Sequence, residues 1–439
     1  MGDLQFPEGF LWGTAAAAHQ VEGGDEASDW LAWEQSPGHI RDGSTSAVAC
    51  DHWHRYEADF DLAAALGTNA HRLSVEWARV EPREGQWDGA AIAHYRAVLQ
   101  ALRARGITPM VTLHHFVNPA WLSEQGGWSN PGVVQLFGRY AAHVAAELGD
   151  LCRMWCTVNE PAGLAYQAYA QGYWPPQHRS LGEALKVLRH LLLGHAAAYR
   201  AIHAAQPGAM VGIPHYMRVF DPANPRSGLD CAVAAFRHKI FNQLVLEALT
   251  GGRMALPFGL GGGLDAVRGT FDYLGVDYYF RDRLAFDPAR PGEAFGRAVP
   301  PDNPEPDTPF WCGEVYAEGL YRICMDLAKY GKPILITENG FMESGDARRP
   351  GNLVRHLEAL WRAIRDGAPV GGYFHWSLMD NWEWAEGFTA RFGLIGVDFA
   401  TQQRTVKASG EVYRRICRAN ALPEELVREH GIVDGGWSA

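Results

Sequence analysis

Two short blocks of the 439-residue chain have a form suited to acid–base chemistry: Thr157-Val158-Asn159-Glu160-Pro161 and Ile336-Thr337-Glu338-Asn339-Gly340. Each is an apolar, β-branched run that ends in a carboxylate and is followed by a backbone breaker. A strand that buries its apolar part and delivers Glu at its mouth places a charge where charge is costly, which marks a working site. One such Glu alone reads equally well as a cap on the next helix; two in matching frames do not. Cleaving a glycosidic bond with retention takes two carboxyl groups roughly 5–5.5 Å apart, one an acid and one a nucleophile. Spacing does not say which of Glu160 and Glu338 would play which part.

Carboxylates so far apart in the chain need a scaffold that brings strand ends together. Eight short apolar or aromatic runs alternate with amphipathic stretches: Phe10 to Ala15, Thr68 to Ser74, Thr108 to His114, Met154 to Asn159, Met210 to His215, Tyr273 to Tyr279, Pro333 to Glu338 and Gly371 to Trp376. The alternation implies parallel strands joined by helical crossovers. Helices are expected over Ala90 to Arg105 and Val133 to Leu148, each followed by the glycine preferred just past a helix end. Arg72, His114, His115, Asn159, Glu160, Asp277, Tyr279, Glu338, Asn339 and Trp376 all fall at the C-terminal ends of the runs. That is the active face of a (β/α)₈ barrel, whereas a doubly wound sheet draws its crevice from fewer strand ends. The expectation is an α/β fold, a single (β/α)₈ TIM barrel with elaborated βα-loops, forming one catalytic domain over residues 1–439. The stretch Phe286 to Pro309, dense in Pro, Gly and Asp, reads as a long loop, either roofing a pocket or lying on the surface. Gly259 to Gly263 lacks the GxxxxGK[ST] pattern and precedes a strand, so it does not read as a phosphate cradle.

Composition narrows the function classes. A formal net charge of −11 repels phosphate backbones and anionic lipid, so neither nucleic acid nor membrane is an expected partner. Sixteen Trp, 16 Tyr and 19 Phe supply amphipathic rings for a ligand with apolar faces and hydroxyl edges, although most rings must be core. Seven Cys without a paired CxxC signal neither a disulfide framework nor a zinc ribbon. With no basic leader before an apolar stretch at the start, the reading is cytoplasmic.

At this point the sequence resembles glycoside hydrolase family 1, the β-glucosidase and β-galactosidase family, along nearly its whole length. Phe6 to Gly23, Asp51 to Tyr56, Asn69 to Arg79, the two glutamate blocks and Trp376 to Gly387 (WSLMDNWEWAEG) match its segments in order. The resemblance implies a retaining β-glycosidase acting on terminal β-D-glycosyl residues through a covalent glycosyl-enzyme, without cofactor or metal. The substrate would be a small β-glycoside or short oligosaccharide, glucoside first with galactoside and fucoside beside it. Glu160 would be the acid/base and Glu338 the nucleophile, with Arg72 supporting the charge on Glu338 and Tyr279 bonding to it. Gln20, His115, Asn159, Asp277, Trp376, Glu383 and Trp384 would hold the sugar, Glu383 bridging its 4- and 6-hydroxyls.

Two departures from the family pattern stand out. Gly275-Val276-Asp277-Tyr278-Tyr279 has Asp where the family often has Asn, which puts a third carboxyl near the pair, and Phe116-Val117-Asn118 follows His115 where a Trp-Asp or Phe-Thr pair is common. Glu383 argues against the 6-phosphoglycosidase branch, since it would repel phosphate, and Glu160 argues against the thioglucosidase branch. A silent glycan-binding relative would have lost a glutamate. A metal-dependent barrel hydrolase would gather His and Asp at strand ends, and Ala18-His19-Gln20 has no His-x-His. Sequence leaves oligomeric state open.

Overall fold

The computed structural model describes residues 2–254, 263–300 and 313–431. Eight parallel strands close on themselves: β1 (Leu11–Ala15), β2 (Ala70–Ser74), β3 (Thr108–His114), β4 (Met154–Val158), β5 (Met210–Pro222), β6 (Tyr273–Phe286), β7 (Ile334–Asn339) and β8 (Val370–Trp376). Each pairs with the next, and β8 returns to β1 through Gly372↔Leu11 to Trp376↔Ala15. The strands read as near-continuous apolar runs because both faces are covered, by barrel interior on one side and helices on the other. All of β3 beyond Thr108 is buried.

The helices form where the periodicity placed them. Helix α1 (Gly89–Ala104) opens on Asp88, whose carboxylate accepts from the amides of Ala90 and Ala91 at 2.8 and 3.1 Å, and ends before Gly106 at φ 72°. Helix α2 (Val133–Leu148) buries Val133, Phe137, Tyr140, Ala141, Val144, Ala145 and Leu148, the three- and four-residue spacing of one face. Across the bottom, Leu4–Gln5 pairs with Ala421–Leu422, and the Trp12 indole donates to Asn420 at 2.8 Å, fastening the two ends of the chain to the barrel.

Three expectations need correction. Strand β4 stops at Val158, so Glu160 lies two residues beyond it in the left-handed region, φ 41°, ψ 59°. The following proline disfavours the right-handed helical region at this position, and such a backbone costs on the order of 1–3 kcal/mol. Strands β5 and β6 run well past His215 and Tyr279, because beyond the barrel they continue as a two-stranded ribbon from Val219↔Arg281 to Pro222↔Leu284. The stretch after Phe286 begins as a hairpin, Gly296–Val299 pairing antiparallel with Arg283–Phe286; its residues 301–309 lie outside the described ones, as do residues 259–262 of the glycine-rich segment.

Candidate active site

At the C-terminal mouth of the barrel a cavity of about 900 Å³ opens, its floor formed by His115, Asn159, Glu160, Tyr279, Glu338 and Trp376. Glu160 leaves β4 in its left-handed turn, with its amide donating to the Pro214 carbonyl of β5 at 3.0 Å. Gly163 keeps room for it: a Cβ there would sit 3.0 Å from Glu160 Oε2. Glu338 comes from β7, and one carboxylate oxygen each of Glu160, Asp277 and Glu338 lie within 4.8 Å of one another.

Glu338 is gripped on both oxygens. Arg72 Nη1, from β2, donates to Oε1 at 2.6 Å, and the Tyr279 hydroxyl, from β6, donates to Oε2 at 2.7 Å. Arg72 is itself fully buried; its Nε donates to Thr112 Oγ1 at 3.0 Å and its Nη2 to Asn159 Oδ1. With Asn159 Oδ1 so occupied, its Nδ2 faces His115 Nε2 at 3.2 Å and donates to it. That assignment places the imidazole proton on Nδ1, which has no protein partner among the described residues. Burial and the charge of Arg72 hold His115 well below its ordinary pKa, so the ring is neutral.

The three carboxyls are driven apart electrostatically. Burial raises Glu160 well above the usual carboxylate range, the charges of Glu338 and Asp277 adding to the effect and Arg72 opposing it. Burial likewise raises Glu338, but the guanidinium of Arg72 and the hydroxyl of Tyr279 pull it back, leaving it the least raised of the three. Such a separation in one site divides a proton-holding acid from an ionised partner.

Asp277 and Gln20 stand behind the cavity wall rather than on it. Asp277 is fully buried beneath Glu338; its Oδ1 accepts from the Thr337 hydroxyl at 2.6 Å, and its Oδ2 has no partner among the described residues. Gln20 is also fully buried, donating from Nε2 to Asn381 Oδ1 at 3.1 Å and Glu383 Oε2 at 3.0 Å. Burial, then the charge of Glu338, raises Glu383 to about 8, while bonds from Gln20 and Trp376 act downward. The Trp376 and Trp384 rings lie nearly parallel to His115 at 5.7 and 5.9 Å, and Phe116 and Trp174 complete an aromatic wall around Trp384.

Sequence reasoning passed over Thr337, Asn381 and Trp174. The first two lay inside blocks already singled out, but a Thr in a strand reads as a β-former. Trp174 lies in the loop after β4, where its aromatic ring was the only signal.

Comparison with known proteins agrees along nearly the whole chain. A family model described as glycosyl hydrolase family 1 matches residues 3–422. The "Beta-glucosidase A" of Thermotoga maritima is 33% identical over 97% of this chain and 100% of its own. A solved structure of a β-glycosidase from Pyrococcus horikoshii superposes with a TM-score of 0.89 at 35% identity, covering 98% of this chain and 99% of that one. The family 1 β-glucosidase structure from Thermotoga maritima gives a TM-score of 0.91 at 32% identity over 97% and 100%.

Proposed function

Because the chain belongs to glycosyl hydrolase family 1 and is a retaining glycoside hydrolase, we propose that Glu338 is its nucleophile and Glu160 its acid/base, acting on terminal β-D-glucosyl residues. The observation that carries this reading is the approach of the two carboxylates to within 4.8 Å. Inversion needs roughly 6.5–9.5 Å, room for a water between carboxyl and sugar, whereas retention needs direct attack.

In the first step Glu338 Oε attacks the anomeric carbon while Glu160 gives its proton to the departing glycosidic oxygen. The covalent ester forms as the aglycone leaves as an alcohol. Glu338 gains a bond and loses its charge, which lowers the pKa of Glu160 and prepares it to act as base. In the second step Glu160 takes a proton from water, whose oxygen displaces Glu338, and two displacements restore the β configuration. Neither step draws on a cofactor.

Sugar contacts are assigned to His115, Asn159, Trp376, Glu383 and Trp384, with Gln20 acting through Glu383 and Asp277 through Glu338. Glu383 accepts from two hydroxyls at positions 4 and 6, which favours unphosphorylated sugars and admits galactosides and fucosides beside glucosides. Support for that breadth comes from relatives named β-glucosidase and β-galactosidase. Residues 1–439 are taken as one catalytic domain. No helix among the described residues is long and apolar enough to cross a membrane, and the six described cysteines are free thiols; we place the enzyme in the cytoplasm on the latter.

The test is labelling with an activated 2-deoxy-2-fluoro β-glucoside followed by peptide mass mapping, together with kcat/KM across aryl β-glucoside, galactoside, fucoside and xyloside. Label on Glu338 and a glucoside or fucoside maximum are expected; label on any other residue would overturn the assignment.

A further inference from the structure

A second polar cluster is buried behind Gln20, apart from the cavity wall. His19 sits in the short helix Ala18–Val21, Asp25 in the loop after it, Glu34 at the end of the helix Asp29–Glu34, and Glu76 two residues past β2. All four are buried, none more than 5% exposed. One ring nitrogen of His19 and one carboxylate oxygen each of Asp25 and Glu76 lie within 4.8 Å of one another. Asp25 Oδ2 is 3.8 Å from Nδ1, and neither atom has a hydrogen-bond partner among the described residues.

The far side of the imidazole fixes its proton. Nε2 is 3.1 Å from Ser46 Oγ and 3.5 Å from Glu34 Oε2. The Ser46 hydroxyl donates its own hydrogen to Glu34 Oε1 at 2.9 Å, so toward His19 it can only accept, and Nε2 carries the N–H. Once its second proton is displaced, the ring turns the Nδ1 lone pair toward Asp25. An imidazole whose outer N–H is held by a carboxylate-backed acceptor, while its other nitrogen faces further acidic ligands, is the arrangement that ligates metals.

Charge points the same way. Four carboxyls, Glu22, Asp25, Glu34 and Glu76, are packed here against Arg79, whose Nε lies 2.9 Å from Glu22 Oε2 and whose charge also reaches Asp25 and Glu76. Buried carboxylates must be protonated, paired or bound to a cation.

We propose that His19, Asp25 and Glu76 form a site for a divalent first-row transition cation such as zinc or manganese. One imidazole nitrogen with two carboxylate oxygens suits these ions, whereas calcium takes six to eight oxygens. The site is structural. The His19 ring stacks on Trp384 at 6.0 Å with 6° between planes, and Gln20, the next residue, holds Glu383. A cation on Nδ1 would therefore set the platform of the sugar site without entering the glutamate chemistry, and the inference stands whichever sugar the enzyme prefers. The competing state is a proton: burial opposes it, but Asp25 and Glu34 more than offset burial and hold the cation-free ring's pKa up to about 9.

The experiment uses full-length enzyme carrying no metal-affinity tag, incubated with zinc or manganese, desalted and assayed for metal by mass spectrometry. We expect about one ion per chain, retained in Glu338→Gln, which removes one carboxylate of the active-site trio, and at least about tenfold weaker in Asp25→Asn and Glu76→Gln. Chelation of the wild type should lower Tm by several degrees and raise KM with kcat nearly unchanged, both reversed by the ion. Wild-type enzyme that retains less than about a tenth of an ion and shows no Tm response would overturn the proposal, leaving the cluster held by a proton. Retention lost in Glu338→Gln, or undiminished in both cluster variants, would overturn it equally by placing the ion elsewhere. If a cluster variant fails to fold, the wild-type stoichiometry and Tm response still decide.

Discussion

Asp277→Asn isolates the one carboxyl that the family pattern does not expect. Were Asp277 ionised near neutral pH, its charge would stand within 4.8 Å of a Glu160 oxygen. At an effective dielectric of about 20 that interaction is worth about 3.5 kcal/mol, or about 2.5 pH units on Glu160. Removing a negative charge lowers the pKa of the acid, so the basic limb of kcat/KM would fall by that amount. The structure argues for the other state. Burial raises Asp277 well above the usual carboxylate range, the charge of Glu338 raises it further, and Arg72, 4.0 Å away, and Thr337 only partly oppose this. A neutral Asp277 resembles Asn: Oδ1 still accepts from Thr337, and the other terminus is an uncharged donor. The expected result is a basic limb displaced by less than about half a unit, with the plateau within a few-fold of wild type. The assay is a pH–rate profile for both enzymes with one aryl β-glucoside. A downward displacement of more than about one unit would show Asp277 ionised and refute the reasoning.

Other variants probe the remaining parts of the site. Glu338→Ala should lose about 10⁴-fold or more in kcat, and azide or formate entering the vacated space should restore turnover with a product of inverted configuration; failure of every small anion to rescue would count against the nucleophile. Glu160→Ala should keep a fast first step with a dinitrophenyl leaving group but not with an alkyl one, since only the latter needs the proton. Equal damage to both, read by pre-steady-state release, would remove the acid role. Gly340→Ala would bring a Cβ within 1.9 Å of the Trp376 carbonyl oxygen, forcing β7 from β8 at a cost of about 1–3 kcal/mol, measurable by urea unfolding; an unchanged midpoint would mean that the strands shift freely.

The barrel was legible because its strands are buried on both faces and so stand out as apolar runs; the two glutamates stood out because a charge at the end of such a run is costly to desolvate, and the fold brings one oxygen of each within 4.8 Å. Depth was not legible. Gln20 and Asp277 read as sugar contacts, yet they support the wall from behind, since neither a strand end nor the short helix that follows β1 tells from its residues which side chain reaches the cavity. The His19 cluster escaped for a related reason: its members come from segments with no common spacing, and they meet only because β1 and β2 are neighbours. The adjacent histidines His114 and His115 show the limit most clearly. Strand alternation sends them to opposite sides, so that His114 accepts from the Trp128 indole at 3.2 Å in the helix layer, while His115 lines the cavity. Which of two neighbours faces the substrate is set by the phase of the pleat, and that phase is fixed by the packing of helices on the barrel rather than by either histidine.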